Sequence, residues 1–135
     1  MRAATIFALM SLADELTRCW DALNAGDPNA FLDLYDPEIE LFVPAWVNPE
    51  GGVYRGADAV NRWHANNFAQ WADQRWELIE TFEQGPSVAF VLKWGGRGKR
   101  SGIELGTRFF GVMTFRKQKI VTIVYLGELR EGVSH

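Results

Sequence analysis

The stretch "VNRWHANNFAQW", residues 60 to 71, joins a histidine and four amides to bulky aromatic side chains. Advancing about 100° per residue from Val60 places His64, Asn67 and Trp71 within about 40° of it, with Ala57, Trp63 and Phe68 at the flanks. Arg62, Ala65, Asn66 and Ala69 fall on the opposite side. A buried stripe centred on an imidazole and an amide needs a reason, because each unpaired polar group inside costs roughly 1–3 kcal/mol. Neutral imidazole can take or give a proton near pH 7, so His64 facing a cavity is the candidate general acid or base. The alternative is a core histidine bonded to a backbone carbonyl or a tyrosine. Asn67, one turn on, could bond a ligand carbonyl or hold His64 in place.

The elements that must position these groups follow from pattern and punctuation. Apolar residues at Leu9, Leu12, Leu16, Cys19 and Leu23 predict one amphipathic helix from about residue 5 to Asn24, closed at Gly26. The start "MRAATIFALMSLA" imitates a short secretory signal, but the unbroken apolar spacing favours the helix. Asp27 and Pro28 open a second, short helix with Phe31, Leu34 and Tyr35 inward, ended by Pro37. From Ile39 the pattern alternates as a strand, and "AWVNPEGGVYRG" reads as a loop carrying Trp46 and Tyr54. A third helix spans about Ala57 to Trp71. Segments 75–83, 87–95, 103–116 and 119–127 are β-rich and separated by the hairpin turns "EQGPS", "GGRGKRSG" and "RKQK". Alternation with Trp76, Leu78 and Phe82 turns Glu80 inward.

The result is an α+β plan: three N-terminal helices on the concave side of a strongly curved antiparallel sheet, leaving a hollow between them. The 135 residues make a single domain, 1–135, with no repeats or linkers. Six tryptophans and nine phenylalanines exceed what so small a core needs and suggest cavity walls. Trp46, Trp63 and Trp71 are the expected wall residues, and Tyr54 and Tyr125 could each turn a hydroxyl toward the hollow. The net charge of −3 gives no general attraction to nucleic acid or anionic membrane. The one basic run, Arg97, Lys99 and Arg100, sits in a glycine-rich turn and is expected to be solvated. No transmembrane stretch is visible. Cys19 is the only cysteine, which excludes an intramolecular disulfide and suits a reducing, cytoplasmic setting. With two histidines, one of them C-terminal, no metal-ligand spacing appears, and no nucleotide fingerprint is present either. Neither metal nor cofactor is therefore expected.

Three stretches, "LNAGDPNAFLDLYDPEIEL", "GGVYRGADAVNRW" and "MTFRKQKIVTIVYLGEL", resemble in order and spacing the landmarks of the nuclear transport factor 2-like superfamily, in particular its SnoaL-like branch of small bacterial proteins. The resemblance covers nearly the whole chain. It implies a cone with a deep apolar pocket and usually a homodimer, but says little about chemistry, since the fold hosts isomerases, cyclases, dehydratases, epoxide hydrolases and pure binders. In ketosteroid isomerase-like members the proton-moving and oxyanion-holding groups would fall near Val43, Cys19 and Gly111, none of which can perform those roles. Cys19 then stands only as a ligand contact. The water-activating carboxylate of epoxide hydrolase-like members would fall at Gly127, with Glu128 one residue away. The expectation is therefore a pocket for a small, mostly apolar molecule, contacted by Cys19, Trp46, Tyr54, Trp63, Asn67, Trp71 and Tyr125. A cofactor-free isomerase, cyclase or dehydratase using His64 is its enzymatic form, and a non-catalytic binding or dimeric interaction module the alternative.

Overall fold

The computed structural model describes residues 11–44 and 52–130. Helix α1 (Leu12–Asn24) starts where the Ser11 hydroxyl accepts from the Asp14 amide at 3.0 Å, satisfying one of the donors a helix start leaves open. The expected start near residue 5 lies outside the described residues. Leu16, Cys19 and Trp20 form the buried stripe of α1, and Gly26, at φ 108°, takes the chain out of the helix in a conformation that a side chain would strain.

The second expected helix is not formed. The Asp27 carboxylate accepts from Asn29 N at 2.9 Å, and Ala30, Leu32 and Leu34 each bond back three residues rather than four. This winding is too tight for an α-helix and leaves one 3₁₀ turn, Leu32–Leu34. Phe31 and Tyr35 are still buried, as side chains of that turn and of the strand that follows it. The described residues therefore contain two α-helices, not three.

Strand β1 (Tyr35–Val43) begins four residues earlier than Ile39 and runs through Pro37. Proline lacks the amide a ladder needs, and the β1 register shifts across this stretch, between Tyr35 and Glu40. Part of the expected loop is strand β2 (Gly52–Arg55), which pairs Tyr54 with Leu41. Helix α2 (Ala57–Phe68) ends earlier than Trp71, which opens strand β3 (Trp71–Gln84). The Gln74 side-chain amide donates to Phe68 O at 2.7 Å and to Trp71 O at 3.3 Å, capping the helix end and turning the chain into the strand. Strands β4 (Ser87–Gly98), β5 (Glu104–Arg116) and β6 (Lys119–Arg130) complete an antiparallel meander. The first half of "GGRGKRSG" belongs to β4, where Arg97 pairs with Asp73 at 2.5 Å, so only the second half turns.

The six strands lie in the order β2-β1-β6-β5-β4-β3. The sheet is mixed rather than antiparallel, because β1 runs parallel to β6. Alternation reports which face a side chain takes but not the direction of a neighbour distant in sequence. Register shifts place extra residues in β1, β3 and β6 and bend the sheet, as inserted residues do. One shift, between Leu78 and Glu80, reverses the inside-outside phase of β3, so Glu80 is exposed, not inward, and Phe82 is 69% exposed.

Helix α1 packs on β3 while α2 packs on β1, β2 and β3. The core joins Leu16, Cys19 and Trp20 to Val60, to Ile39 and Leu41, and to the inner residues of β4, β5 and β6. On the outer face the register aligns one apolar residue per strand, Val53, Phe42, Val124, Val112, Ala89 and Phe82, into a row across the whole sheet. Val91 and Phe110 form a second pair beside it.

Gly111 leaves room for β6 and Phe90 to lie close against β5, since a Cβ there would stand 2.4 Å from Val124 O, 3.0 Å from Phe90 Cζ and 3.2 Å from Tyr125 Cα. Gly111→Ala should destabilise the fold by roughly 2 kcal/mol or more, because the nearest clash is with backbone that cannot rotate away. Urea titration measures this; a loss below about 0.5 kcal/mol, the range of ordinary surface changes, would show that the sheet can open at this point.

Candidate functional site

His64 lies on the inner face of α2, 9% exposed, and both ring nitrogens are engaged: Nδ1 lies 3.0 Å from Val60 O and Nε2 lies 2.9 Å from the Tyr125 hydroxyl. A carbonyl can only accept, so Nδ1 carries the proton. In neutral imidazole Nε2 then has only a lone pair, and the Tyr125 O–H donates to it. Burial lowers the His64 pKa to about 4, outweighing the backbone bond to Val60 that favours the cation. Burial also raises the Tyr125 pKa. The pair is therefore uncharged at neutral pH, with the phenol proton aimed at the imidazole and the phenol oxygen left as an acceptor.

Above this pair opens a cavity of about 240 Å³. Helix α2 contributes Trp63, His64, Asn67 and Phe68 to its walls, and Tyr125 comes from β6. Trp71, Gln74 and Trp76 line it from β3, Trp94 from β4, and Thr107 and Phe109 from β5. The polar groups of the wall brace it. Asn67 Nδ2 donates to Trp63 O at 2.8 Å, and Gln74 Oε1 accepts from the Trp94 indole at 3.2 Å while its amide caps α2. Gly96 makes room for Trp94: a Cβ there would stand 2.7 Å from the indole Cζ2. Among the described residues no lysine, arginine, aspartate or glutamate lines this cavity. Among the described residues there is no group of three or more histidine, cysteine or acidic side chains that could hold a metal ion.

Of the candidate residues, Trp63, His64, Asn67, Trp71 and Tyr125 meet at this cavity. Trp71 reaches it from a strand rather than from the helix that the periodicity assigned. Tyr54 is not part of the lining and packs behind Trp63, ring centres 6.0 Å apart. Cys19 sits in the core, 2% exposed, outside the lining of this cavity, and burial pushes its thiol pKa up to about 11. Trp46 lies outside the described residues.

Sequence reasoning missed Phe68, Gln74, Trp76, Trp94, Thr107 and Phe109. Trp94 had a signal: it alternates in phase with Val88, Phe90 and Leu92, and the following Gly95 and Gly96 leave space for a large ring. Trp76 is its direct cross-strand neighbour, a fact that only the register supplies.

The SnoaL-like domain model matches residues 16–123. A putative SnoaL-like polyketide cyclase from Jannaschia sp. CCS1 superposes with a TM-score of 0.73 at 12% identity, covering 85% of this chain and 83% of that one. Nuclear transport factor 2-like proteins from Burkholderia thailandensis E264 and Burkholderia pseudomallei K96243 give TM-scores of 0.72 at 23% and 20% identity, each covering 87% of this chain and 91% of the other. No curated protein matches the chain. Among the described residues no helix is long and apolar enough to cross a membrane.

His64 makes stability depend on pH. Its folded pKa is below the unfolded value of 6.5, so the unfolded chain binds the extra proton between the two. The contribution is complete above about pH 6.5 and is lost as pH falls to about 4, a change of about 3 kcal/mol. Urea titrations at pH 7.5 and pH 4.5 should therefore show His64→Gln far less stable than the parent at the higher pH and nearly level at the lower. A constant difference would mean that His64 is not buried in its neutral form. Both the family model, spanning most of the chain, and the bent sheet closed by α1 and α2 lead to one assignment: the protein belongs to the SnoaL-like family.

Proposed function

We infer that the protein binds a small, mostly apolar molecule in the cavity between α2 and the sheet. The observation that carries this reading is the cavity itself: a space walled by six tryptophan and phenylalanine rings, with no charged side chain among the described residues that line it and with the His64–Tyr125 pair at one side. A folded chain of this size gains by filling such space with its own side chains, and pockets lined by aromatic groups with a few fixed polar atoms are the usual form of a small-molecule site. His64 acts here as a positioning residue. Its lowered pKa and occupied Nε2 make it a poor proton carrier at neutral pH, whereas its lone pair fixes the rotation of the Tyr125 hydroxyl. The cyclase-like relative supports a catalytic form, a cofactor-free cyclase, isomerase or dehydratase, in which His64 would be the base.

Screening small apolar compounds by thermal shift, followed by titration calorimetry on a hit, tests the reading. His64→Gln and Tyr125→Phe should each weaken the hit by roughly tenfold, the worth of one well-placed hydrogen bond. The double variant should be no weaker than either single one, because the two residues act as a unit. Additive losses would separate them. A turnover on the hit that drops by roughly 10²–10⁴-fold in His64→Gln at unchanged affinity would establish the catalytic form instead.

The partner is a second copy of the chain. The outer row from Val53 to Phe82, with Phe110 at 41% and Leu126 at 52% exposed, forms an apolar face wider than a monomer usually presents to water. Light scattering at micromolar concentration should report a dimer, and Phe110→Lys should convert it to a monomer that remains folded. A parent protein that runs as a monomer would remove this part of the reading.

A further inference from the structure

The inference concerns the chemical class of the ligand and rests on the binding reading above. Six rings, Trp63, Phe68, Trp71, Trp76, Trp94 and Phe109, line one cavity. Trp76 and Phe109 stack at 28° with centres 6.4 Å apart, but the other paired planes are turned against one another. Trp71 and Trp94 meet at 83° with centres 4.8 Å apart, Phe68 and Trp76 at 62° and 5.2 Å, and Trp76 and Trp94 at 54° and 6.1 Å. Parallel walls would sandwich a flat molecule, whereas walls at these angles fit around a rounded group. The faces of aromatic rings carry negative potential and attract cations placed over them.

Four polar side chains of the wall favour the same sign of charge. Gln74 gives its amide protons to Phe68 O and Trp71 O, Trp94 gives its indole proton to Gln74, and His64 gives its proton to Val60 O. Tyr125 gives its proton to His64 and keeps oxygen lone pairs. These four side chains therefore spend their protons inside the wall. Among the described residues no side-chain cation lines the space to repel a positive ligand, and the imidazole stays uncharged across the physiological range. An anion, by contrast, would find neither a positive charge nor a proton from these groups.

We propose that the cavity recognises an organic cation, a methylated or alkylated ammonium head carried on a short apolar substituent, held by the faces of the surrounding tryptophans. The probes are choline and 3,3-dimethylbutan-1-ol, which share size and shape and differ in the charge on the central atom. Calorimetric titration of the full chain at pH 7.5 should give choline at least roughly tenfold tighter binding than the neutral alcohol. Trp94→Leu should cost choline roughly tenfold and the alcohol less than about threefold, since leucine keeps an apolar wall but removes the ring face. Phe109→Leu, a smaller change, should give the same ordering if Trp94→Leu does not fold. Equal affinity for the two probes, or tighter binding of the alcohol, overturns the cation inference and leaves the apolar-ligand reading standing. Failure of both probes to bind at millimolar concentration also overturns the cation inference. The apolar-ligand reading then fails only if the thermal-shift screen yields no hit.

Discussion

The burial of a neutral imidazole is the constraint on which the interior depends. His64 is held at both nitrogens, by its own helix through Val60 O and by the last strand through Tyr125, and the second contact joins segments 61 positions apart in sequence. Removing either partner would strand a polar atom in an apolar surrounding, which is why the distance from α2 to β6 is fixed rather than adjustable. With α2 held at that distance, the space beside it cannot collapse, and the rings of β3, β4 and β5 wall a hollow instead of closing it. The chain tolerates the polar pair inside because both imidazole nitrogens and the phenol proton are matched.

Much of this was legible in the sequence, and the parts that were not share a cause. The period of α2 placed Val60 and His64 on the buried face, and the alternation of β4 marked Trp94. Trp71 fell in phase with the helix, but a side chain three residues further on, Gln74, stops the helix before reaching it. The phase of β3 was misjudged at Glu80 because a single register shift reverses it, and no residue type announces that shift. Cys19 shows the limit of periodicity: a helical stripe tells which residues face inward, not whether they meet a solid core or a space. The parallel pairing of β1 with β6 was hidden for the same reason, since it is decided between segments with no local relation.

Glycine has two separate uses in this sheet. At Gly111 the missing side chain lets two strand backbones approach, and at Gly96 it lets the ring of Trp94 lie along the sheet. The first tightens the core and the second shapes the cavity, so an alanine at one would be felt as lost stability and at the other as a moved wall. The aromatic excess in the composition is explained in the same way. The rings are concentrated where the curved sheet and α2 diverge, whereas the tightly packed interior is mainly aliphatic.

The Gln74 side chain holds the last carbonyl of α2 with its nitrogen and the Trp94 indole with its oxygen. Fraying of the helix end and loosening of the tryptophan are thereby one event. Local opening of this kind is the cheapest excursion a folded chain makes, and a molecule resting against Trp94 would suppress it, through Gln74, in the amide hydrogens of the final turn of α2. Occupancy of the cavity would thus be recorded as slowed hydrogen exchange along the backbone of the helix end.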